Sequence, residues 1–311
     1  MRIGFVGLGT MGTHMAAHLQ KAGHHLAVHD MRRDAAQSHI AAGAVWAATP
    51  KAAAEGSDIV FTSLPGPPEV EHVALGETGL LAGLRAGAAY FDLSTNAPSM
   101  VRRLHDEYAR QGVHMLDAPV SGGPKGAISG RLAIWVGGDR AVFDQHRAVL
   151  DAIGDQARYI GPIGNATVAK LVHNMAGYSI NIALAEVFTL GVKAGVDPLL
   201  LFEAVRQGAL GRLRSFDRLA DQFLPGTFDP PSFSLTLAHK DVSLATALGR
   251  ELNVPMKIAN TVLAEMTEAL NRGWGPRDSR VAMLLQEERA GVEIAVDPAA
   301  LRAVLEADGK R

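Results

Sequence analysis

Three glycines near the N-terminus have the spacing of a turn that binds phosphate groups. The apolar run Arg2 to Val6 leads directly into Gly7-x-Gly9-x-x-Gly12, and a helical pattern follows. In such a turn the first glycine allows a tight bend, the second lets the backbone approach a pyrophosphate, and the third lets the helix pack closely. The helix N-terminus then faces the phosphates. The segment therefore predicts a dinucleotide site lined by Gly7, Leu8, Gly9, Thr10, Met11 and Gly12.

An acidic residue follows the second apolar run, where a ribose-binding group is expected. The run His25 to His29 ends at Asp30, roughly 20 positions after Gly7, as in dinucleotide-binding folds. A carboxylate there accepts a hydrogen bond from a free ribose 2′-hydroxyl and repels a 2′-phosphate. Asp30 therefore favours NAD as the cofactor, and Arg32 and Arg33 keep NADP as the alternative.

Three later segments carry polar residues suited to redox chemistry on a small carboxylate. Asp92-Leu-Ser-Thr95 follows a predicted strand, at the edge where open α/β sheets bind ligands. Asp117-Ala-Pro-Val-Ser-Gly-Gly123 contains a turn that can offer backbone N–H groups and a hydroxyl to a carboxylate. Gly161-x-x-Gly164 is followed by Lys170 and Asn174, one helical turn apart on the same face. A lysine can carry the proton of an alcohol oxidation if burial lowers its pKa toward the working pH.

The elements that would position these residues alternate between strands and helices over the first half of the chain. Such alternation is typical of a parallel sheet covered on both faces. Helical spacing is strongest in Met11 to Ala22 and Ser99 to Arg110. The predicted strands are Arg2 to Val6, His25 to His29, Asp58 to Leu64, Ala88 to Asp92, His114 to Leu116, Leu132 to Val136 and Arg158 to Ile160.

The pattern changes at Gly161-Pro-Ile-Gly164. From Asn165 to about Gly195 the chain has helical periodicity and no proline, which predicts a long connecting helix. Later segments read as helices joined by Gly/Pro loops. We therefore predict an α/β fold in which a Rossmann-type, doubly wound parallel sheet, residues 1–162, is followed by an all-α domain, residues 163–311. The sequence assigns no role to the segment after Gly291.

Composition excludes several classes of function. A chain of 311 residues, 48% hydrophobic, is long enough for two domains, and its formal net charge of −2 gives no basic surface for nucleic acid. No apolar run approaches the roughly 18 residues of a membrane span, and no removable signal is expected because Arg2 to Gly12 already forms a strand and turn. The absence of cysteine excludes disulfides and thiolate metal sites and is compatible with the cytoplasm, where we expect the protein. The histidines lack ligand spacing, so we expect no metal.

Together these motifs resemble the β-hydroxyacid dehydrogenase family, which includes 3-hydroxyisobutyrate dehydrogenase and tartronate semialdehyde reductase. A further match is the segment Phe233 to Ala245, which contains Lys240, so the resemblance runs from residue 2 to about 285. It implies that Lys170 is the catalytic acid/base, that Asn174 orients the substrate, and that a small carboxylate is bound by Ser121, Gly122 and Gly123. It also implies that the cofactor is contacted by Leu64, Pro65, Thr95 and Lys240, with Lys240 beside the nicotinamide and substrate. The family usually has a glycine where this chain has Ala166, so the backbone approach at the start of this helix is expected to differ slightly.

Alternatives remain at several positions. His173 also lies within a turn of Lys170, and histidine is the usual proton carrier near neutral pH. Arg212 and Arg214 could bind a second anionic group of the substrate or simply face solvent. At the level of the whole protein, the alternatives are an NADPH-dependent semialdehyde or glyoxylate reductase and a catalytically silent NAD-binding protein. Apolar residues around much of the Asn165 to Gly195 helix predict a homodimer or homotetramer.

Overall fold

The computed structural model describes residues 1–212, 219–251, 253–291 and 293–309. Contacts divide the chain into two units, Met1–Ala176 and Gly177–Arg311. The division falls inside a long helix. Our sequence-based division at residues 162 and 163 stays a prediction.

A nine-stranded sheet forms the centre of the first unit. Short apolar, β-branched and aromatic runs form its strands, since such residues fit a pleated surface. In chain order the strands are β1 Arg2–Val6, β2 His25–His29, β3 Val45–Trp46, β4 Ile59–Thr62, β5 Ala89–Asp92, β6 His114–Asp117, β7 Val120–Ser121, β8 Ala133–Gly137 and β9 Gln156–Gly161.

The strand order is that of a doubly wound sheet. From one edge it runs β3-β2-β1-β4-β5-β6-β8-β7, and β9 pairs with β8. Strand β1 pairs in parallel with β2 on one side and with β4 on the other. The chain thus reverses its winding direction at β1, and such a switch point opens a crevice at the carboxyl ends of the strands.

One part of the sheet differs from the predicted all-parallel arrangement. Strand β8 is antiparallel to β7 and to the end of β6, where Asp117 pairs with Gly137, while β9 is parallel to β8. Hydrophobic patterning indicates which face of a strand is buried, but it does not encode strand direction. The Rossmann-type fold class is confirmed, with a mostly parallel sheet.

Helices cover the sheet and form most of the described part of the second unit. Several begin where the sequence has proline at the first helical position, where its missing N–H is tolerated. In chain order the helices are α1 Gly12–Lys21, α2 Gln37–Ala41, α3 Pro50–Ala54, α4 Pro67–Leu75, α5 Pro98–Arg110, α6 Gly123–Ser129, α7 Arg140–Leu150, α8 Asn165–Lys193, α9 Pro198–Gln207, α10 Ala209–Arg212, α11 Leu235–Glu251, α12 Lys257–Asn271, α13 Leu284–Ala290 and α14 Pro298–Gly309.

Each face of the sheet has its own hydrophobic core. Adjacent residues of one strand enter opposite cores: Phe5 and Phe91 belong to one, and Val6 and Tyr90 to the other. This follows from the two-residue period of a strand. The stacked rings of Phe61 and Phe91, with centroids 5.5 Å apart, link β4 to β5. Burial on both faces holds the carboxyl ends of these strands rigidly, and the candidate site begins there.

The second unit is helical, as predicted. One core packs Phe223, Phe228, Leu235 and Val281 together. On α8, the carboxylate of Glu186 accepts hydrogen bonds from the N–H groups of Ile258 and Ala259 at 3.0 and 2.9 Å. These donors lie in the first turn of α12, so Glu186 supplies the cap that this helix otherwise needs.

Candidate active site

The glycine turn between β1 and α1 has the geometry that its sequence predicts. Gly7 has φ +95°, a conformation that favours glycine. A Cβ on Gly12 would overlap the carbonyl oxygen of Gly7, whereas a Cβ on Gly9 would meet no atom within 4 Å. The first and third glycines are thus required by the turn itself, and the second leaves the backbone open to a ligand.

A cleft of about 980 Å³ opens at this turn. Its walls include most of the predicted cofactor residues: Gly7, Gly9, Thr10, Met11, Gly12, Asp30, Leu64 and Pro65. Within the described residues no side chain caps α1 at Met11, although the N–H of Thr13 already donates to the carbonyl oxygen of Gly9 at 3.1 Å. An open backbone at Gly9, an uncapped helix and an apolar cleft of this size fit a dinucleotide.

Asp30 lies at the end of β2 on the wall of this cleft. Its Oδ2 accepts a hydrogen bond from the N–H of Leu8 at 2.7 Å, and its Oδ1 accepts one from the N–H of Arg32 at 2.9 Å. Each carboxylate oxygen has a further lone pair, so Asp30 can still accept from a hydroxyl. The side chain of Leu8 is buried, so Leu8 contacts Asp30 through its backbone N–H alone.

A buried network at the ends of β4 and β5 holds the next wall of the cleft. Asp92 accepts hydrogen bonds from Thr62 Oγ1 at 2.8 Å, Ser94 N–H at 3.0 Å and Asn96 Nδ2 at 3.0 Å. Burial raises the pKa of Asp92, and these hydrogen bonds act in the opposite direction. Ser94 Oγ in turn accepts from the N–H of Leu64 at 2.9 Å. The network therefore fixes the Leu64-Pro65 loop. Thr95, between Ser94 and Asn96, is half-buried and is not among the residues that line the cleft.

The predicted carboxylate clamp is an exposed turn between β7 and α6. Gly122 has φ +136° and Gly123 has φ +60°, and both values favour glycine. Gly123 begins α6, so its N–H belongs to an uncapped first turn. Ser121, the last residue of β7, is partly exposed. The turn can offer N–H donors and one hydroxyl to an anion.

Lys170 and Asn174 lie on α8 and are both half-buried. Burial lowers the pKa of Lys170, because desolvation disfavours the ammonium form. The shift has the direction that a lysine proton carrier needs.

His173 joins the clamp to this helix. Its Nε2 lies 3.5 Å from Ser121 Oγ, and its Nδ1 lies 3.2 Å from Asn174 Oδ1. Its ring also packs on Trp135 of β8, with centroids 5.3 Å apart. The clamp residue Ser121 and the face of α8 that carries Asn174 are thus neighbours in the fold.

Sequence reasoning missed the role of Asp117 in bringing these elements together. Asp117 ends β6 and is 1% exposed. Its Oδ1 accepts from the N–H of Gly164 at 2.8 Å, and its Oδ2 accepts from the N–H and Oγ1 of Thr167 at 2.7 and 2.8 Å. The available signal was an aspartate at the end of a strand, which alone does not reveal its partners. Ala166, where the family usually has glycine, is buried beside this contact.

Two of the predicted residues lie wholly or partly outside the part of the chain that the structure describes. The side chain of Lys240, on α11, and the whole of Arg214 lie outside the described residues. Arg212 is exposed at the end of α10.

Among the residues that the structure describes, no group of three or more histidine, aspartate or glutamate side chains could hold a metal ion. Within the same residues, no helix has the length and apolar character to cross a membrane.

Two family models match consecutive parts of the chain. Residues 2–161 match the NAD binding domain of 6-phosphogluconate dehydrogenase. Residues 164–285 match the NAD-binding domain of NADP-dependent 3-hydroxyisobutyrate dehydrogenase. The two matches together cover the sheet, the long helix α8 and most of the helical region.

Individual relatives match over nearly the whole chain. A 2-(hydroxymethyl)glutarate dehydrogenase from Eubacterium barkeri is 33% identical, over 94% of this chain and 97% of the relative. An NAD-dependent L-serine dehydrogenase from Pseudomonas aeruginosa is 33% identical, over 93% and 99%. The solved structure of Mycobacterium tuberculosis 3-hydroxyisobutyrate dehydrogenase with L-serine has a TM-score of 0.64 at 29% identity, over 91% and 98%. The similarity thus extends over both units to dehydrogenases of small hydroxyacids.

Proposed function

The chain belongs to the β-hydroxyacid dehydrogenase family, and we propose that it oxidises a small β-hydroxyacid reversibly to its semialdehyde with NAD, using Lys170 as the proton carrier. The family membership makes it an NAD(P)-dependent oxidoreductase. The choice of NAD, the substrate and the residue roles are our proposal.

One observation carries it. Ser121 and the α8 face bearing Asn174 are joined through the imidazole of His173, at 3.5 and 3.2 Å. Lys170 is four residues before Asn174, so both project from one side of the helix. A carboxylate held at the Ser121-Gly122-Gly123 turn would therefore direct its β-carbon hydroxyl toward this side of α8, as orientation for hydride transfer requires.

The residues supply the proton transfer and the substrate orientation. When bound, NAD accepts the hydride from the alcohol carbon, or its reduced form returns it. In the oxidation the neutral amine of Lys170 accepts the hydroxyl proton as the carbonyl forms, and in the reduction its ammonium donates that proton back. Asn174 holds the reacting oxygen with its amide, and the Ser121 hydroxyl and the turn N–H groups hold the carboxylate. Burial lowers the pKa of Lys170, so the neutral amine is more accessible than in an exposed lysine.

The position of Asp30 supports NAD over NADP. Two backbone N–H groups fix its carboxylate on the cleft wall, and a fixed negative charge disfavours a 2′-phosphate. Arg32 also lines the cleft, so an NADPH-dependent semialdehyde or glyoxylate reductase is the alternative within the same chemistry. The presence of Lys170, Asn174 and Ser121 together disfavours a catalytically silent NAD-binding protein.

The proposed partners are a small carboxylate substrate and further copies of this chain. On α8 and α9, large apolar side chains are exposed, including Val187 at 50%, Leu199 at 65% and Leu200 at 62%. Exposed apolar surface of this kind marks an interface, which supports a homodimer or homotetramer. A cytoplasmic location stays a prediction from composition.

A substrate panel tests the proposed function. Purified protein is mixed with NAD and, separately, with 3-hydroxyisobutyrate, L-serine, 2-(hydroxymethyl)glutarate and glycerate, and NADH formation is followed by absorbance. We expect turnover with at least one of them and its loss in Lys170→Ala. Intact NADH binding without turnover on any compound would instead favour the silent protein.

A further inference from the structure

The buried carboxylate of Asp117 contacts the start of α8. The three hydrogen-bond donors that reach its carboxylate come from Gly164 and Thr167, 47 and 50 residues later in the chain. Thr167 lies in the first turn of α8, where backbone N–H groups have no intrahelical partner. A buried carboxylate in this position satisfies these donors and complements the positive end of the helix dipole.

The surrounding glycines leave the space that this contact requires. A Cβ on Gly137, which pairs with Asp117 across β6 and β8, would lie 2.5 Å from Asp117 Oδ1 and 2.8 Å from the carbonyl oxygen of Pro162. Residue 164 has φ +89°, a backbone conformation that also favours glycine. The glycines at positions 137 and 164 are therefore accounted for by the approach of Asp117 to the helix.

Both sides of the contact continue into the candidate site. Asp117 is four residues before Ser121, and the segment between them is held against β8 by the hydrogen bond from the N–H of Trp135 to the carbonyl oxygen of Pro119 at 3.2 Å. Thr167 is three residues before Lys170, within one helical turn. A single carboxylate thus links the strand that leads to the clamp with the helix that carries the proton carrier.

We propose that Asp117 is a positioning residue, which sets Lys170 and Asn174 against the Ser121 clamp by anchoring the first turn of α8 to the end of β6. The inference rests on the proposed function of these three residues. Asp117 itself touches neither substrate nor cofactor in this proposal. Its loss should slow the chemical step and leave the remote cofactor cleft unchanged, because small displacements at a reacting centre have large effects on rate.

The main test is Asp117→Asn in the full-length protein. Asparagine has the size of aspartate, but its amide NH2 is a hydrogen-bond donor. This NH2 would face at least one of the three donors of Gly164 and Thr167, so the first turn of α8 should shift. We expect kcat on the best substrate of the panel to fall about 10²-fold, as for a displacement of about 1 Å. NADH affinity, measured by fluorescence, should be little changed. Hydrogen exchange should accelerate in peptides covering residues 160–170 and stay unchanged in peptides covering β1 and α1.

Thr167 supplies a milder pair of variants in case Asp117→Asn does not fold. Thr167→Val removes the hydroxyl donor at constant shape and should lower kcat less than Asp117→Asn does, about tenfold, because the displacement of the helix is smaller. Thr167→Ser retains the hydroxyl and should restore kcat. Asp139→Asn is the matched control. The carboxylate of Asp139 caps α7 by accepting hydrogen bonds from the N–H groups of Ala141 and Val142. The substitution weakens this cap and should leave kcat unchanged.

The outcomes separate this proposal from the proposed function. Near-normal kcat in a folded Asp117→Asn, or in Thr167→Val, overturns the positioning role alone. A fall in kcat that is matched by weaker NADH binding and by faster exchange throughout the protein indicates general destabilisation and also overturns it. A wild-type protein with no turnover on the panel overturns the proposed function, and the positioning role falls with it even if the exchange data show the anchor.

Discussion

The Oδ2 atom of Asp30 accepts a hydrogen bond from the N–H of Leu8 at 2.7 Å, so the residue expected to contact the ribose also fixes the glycine turn. The turn and the end of β2 are thereby coupled. A substitution at Asp30 will act on the charge of the cleft and on the geometry of the turn together. The two effects can be separated by the choice of side chain.

Asp30→Asn should reduce the preference for NAD over NADP. The amide oxygen can still accept from Leu8 or Arg32, but the negative charge that repels a 2′-phosphate is gone. Wild type should have a higher kcat/KM with NAD than with NADP. The variant should lower the ratio of these two values at least about tenfold, because two like charges held close together cost several kcal/mol. The measurement is kcat/KM for both cofactors with one substrate.

Asp34→Asn is the matched control for this change. Asp34 is exposed four residues later, and its loss alters net charge equally. It should leave the cofactor ratio unchanged. A wild-type preference for NADP would mean that Arg32 and Arg33 dominate and that the interpretation of Asp30 is wrong.

Ser94→Ala should weaken NADH binding several-fold. Its hydroxyl accepts the N–H of Leu64 at 2.9 Å, and without it the Leu64-Pro65 wall of the cleft loses its fixed position. The free energy of unfolding should fall by about 1 kcal/mol, the usual net contribution of such a bond. Titration of NADH fluorescence and urea denaturation give the two quantities.

Ser57→Ala separates the local effect from general destabilisation. Ser57 is also buried, and its hydroxyl donates to the carbonyl oxygen of Ala53 at 2.8 Å. It precedes the amino end of β4, whereas Ser94 and Leu64 follow the carboxyl ends of β5 and β4. A similar loss of stability with unchanged NADH affinity is expected. If both variants bind NADH equally well, the Ser94 hydrogen bond does not shape the cleft.

The sequence predicted the fold class because its local signals agree with each other. The strand, glycine turn and helix at Arg2 to Lys21 are encoded within twenty residues, and α8 is close to its predicted extent. Strands β3 and β7 were not predicted, since each has only two residues and no alternating pattern can be recognised over that length. Their formation depends on pairing with neighbours that are distant in the sequence.

Contacts across long sequence separations account for what the sequence could not predict in the site. Residue types and spacing, together with the family resemblance, nominated Lys170, Asn174 and Ser121, and their roles stay predictions. The anchoring of α8 by Asp117 and the packing of His173 on Trp135 join residues 38 to 50 positions apart. Side-chain hydrogen bonds and ring contacts of this kind leave no periodic pattern in the chain.

The protein should be a homodimer or homotetramer in solution. Leu200, 62% exposed on α9, is part of the apolar surface described above, and Leu200→Lys should shift the mass measured by light scattering toward the monomer. Val45→Lys is the control, because Val45 is equally exposed, at 67%, on the edge strand β3. A wild-type protein that remains an active monomer on dilution would contradict the prediction.

Lys170 and His173 can be distinguished by substitution. Lys170→Ala should lower kcat by about 10² to 10⁴, the usual contribution of a positioned acid or base, with NADH affinity preserved. Lys170→Arg should fail equally, since a guanidinium does not release its proton in the working range. His173→Asn should keep most of the turnover and raise KM for the carboxylate substrate, because His173 contacts Ser121 rather than carrying the proton. The reverse ranking of the two residues would assign proton transfer to His173.

The pH dependence of the two reaction directions gives an independent check on Lys170. Oxidation needs the neutral amine, so its kcat should rise with pH and level off above the pKa of Lys170, while reduction needs the ammonium and should fall over the same interval. Burial lowers that pKa, so the midpoint should lie below the value of about 10.4 typical of an exposed lysine. In His173→Asn the midpoint should persist, because Lys170 still titrates. A midpoint that disappears with His173 and survives in the residual activity of Lys170→Ala would overturn the role of Lys170.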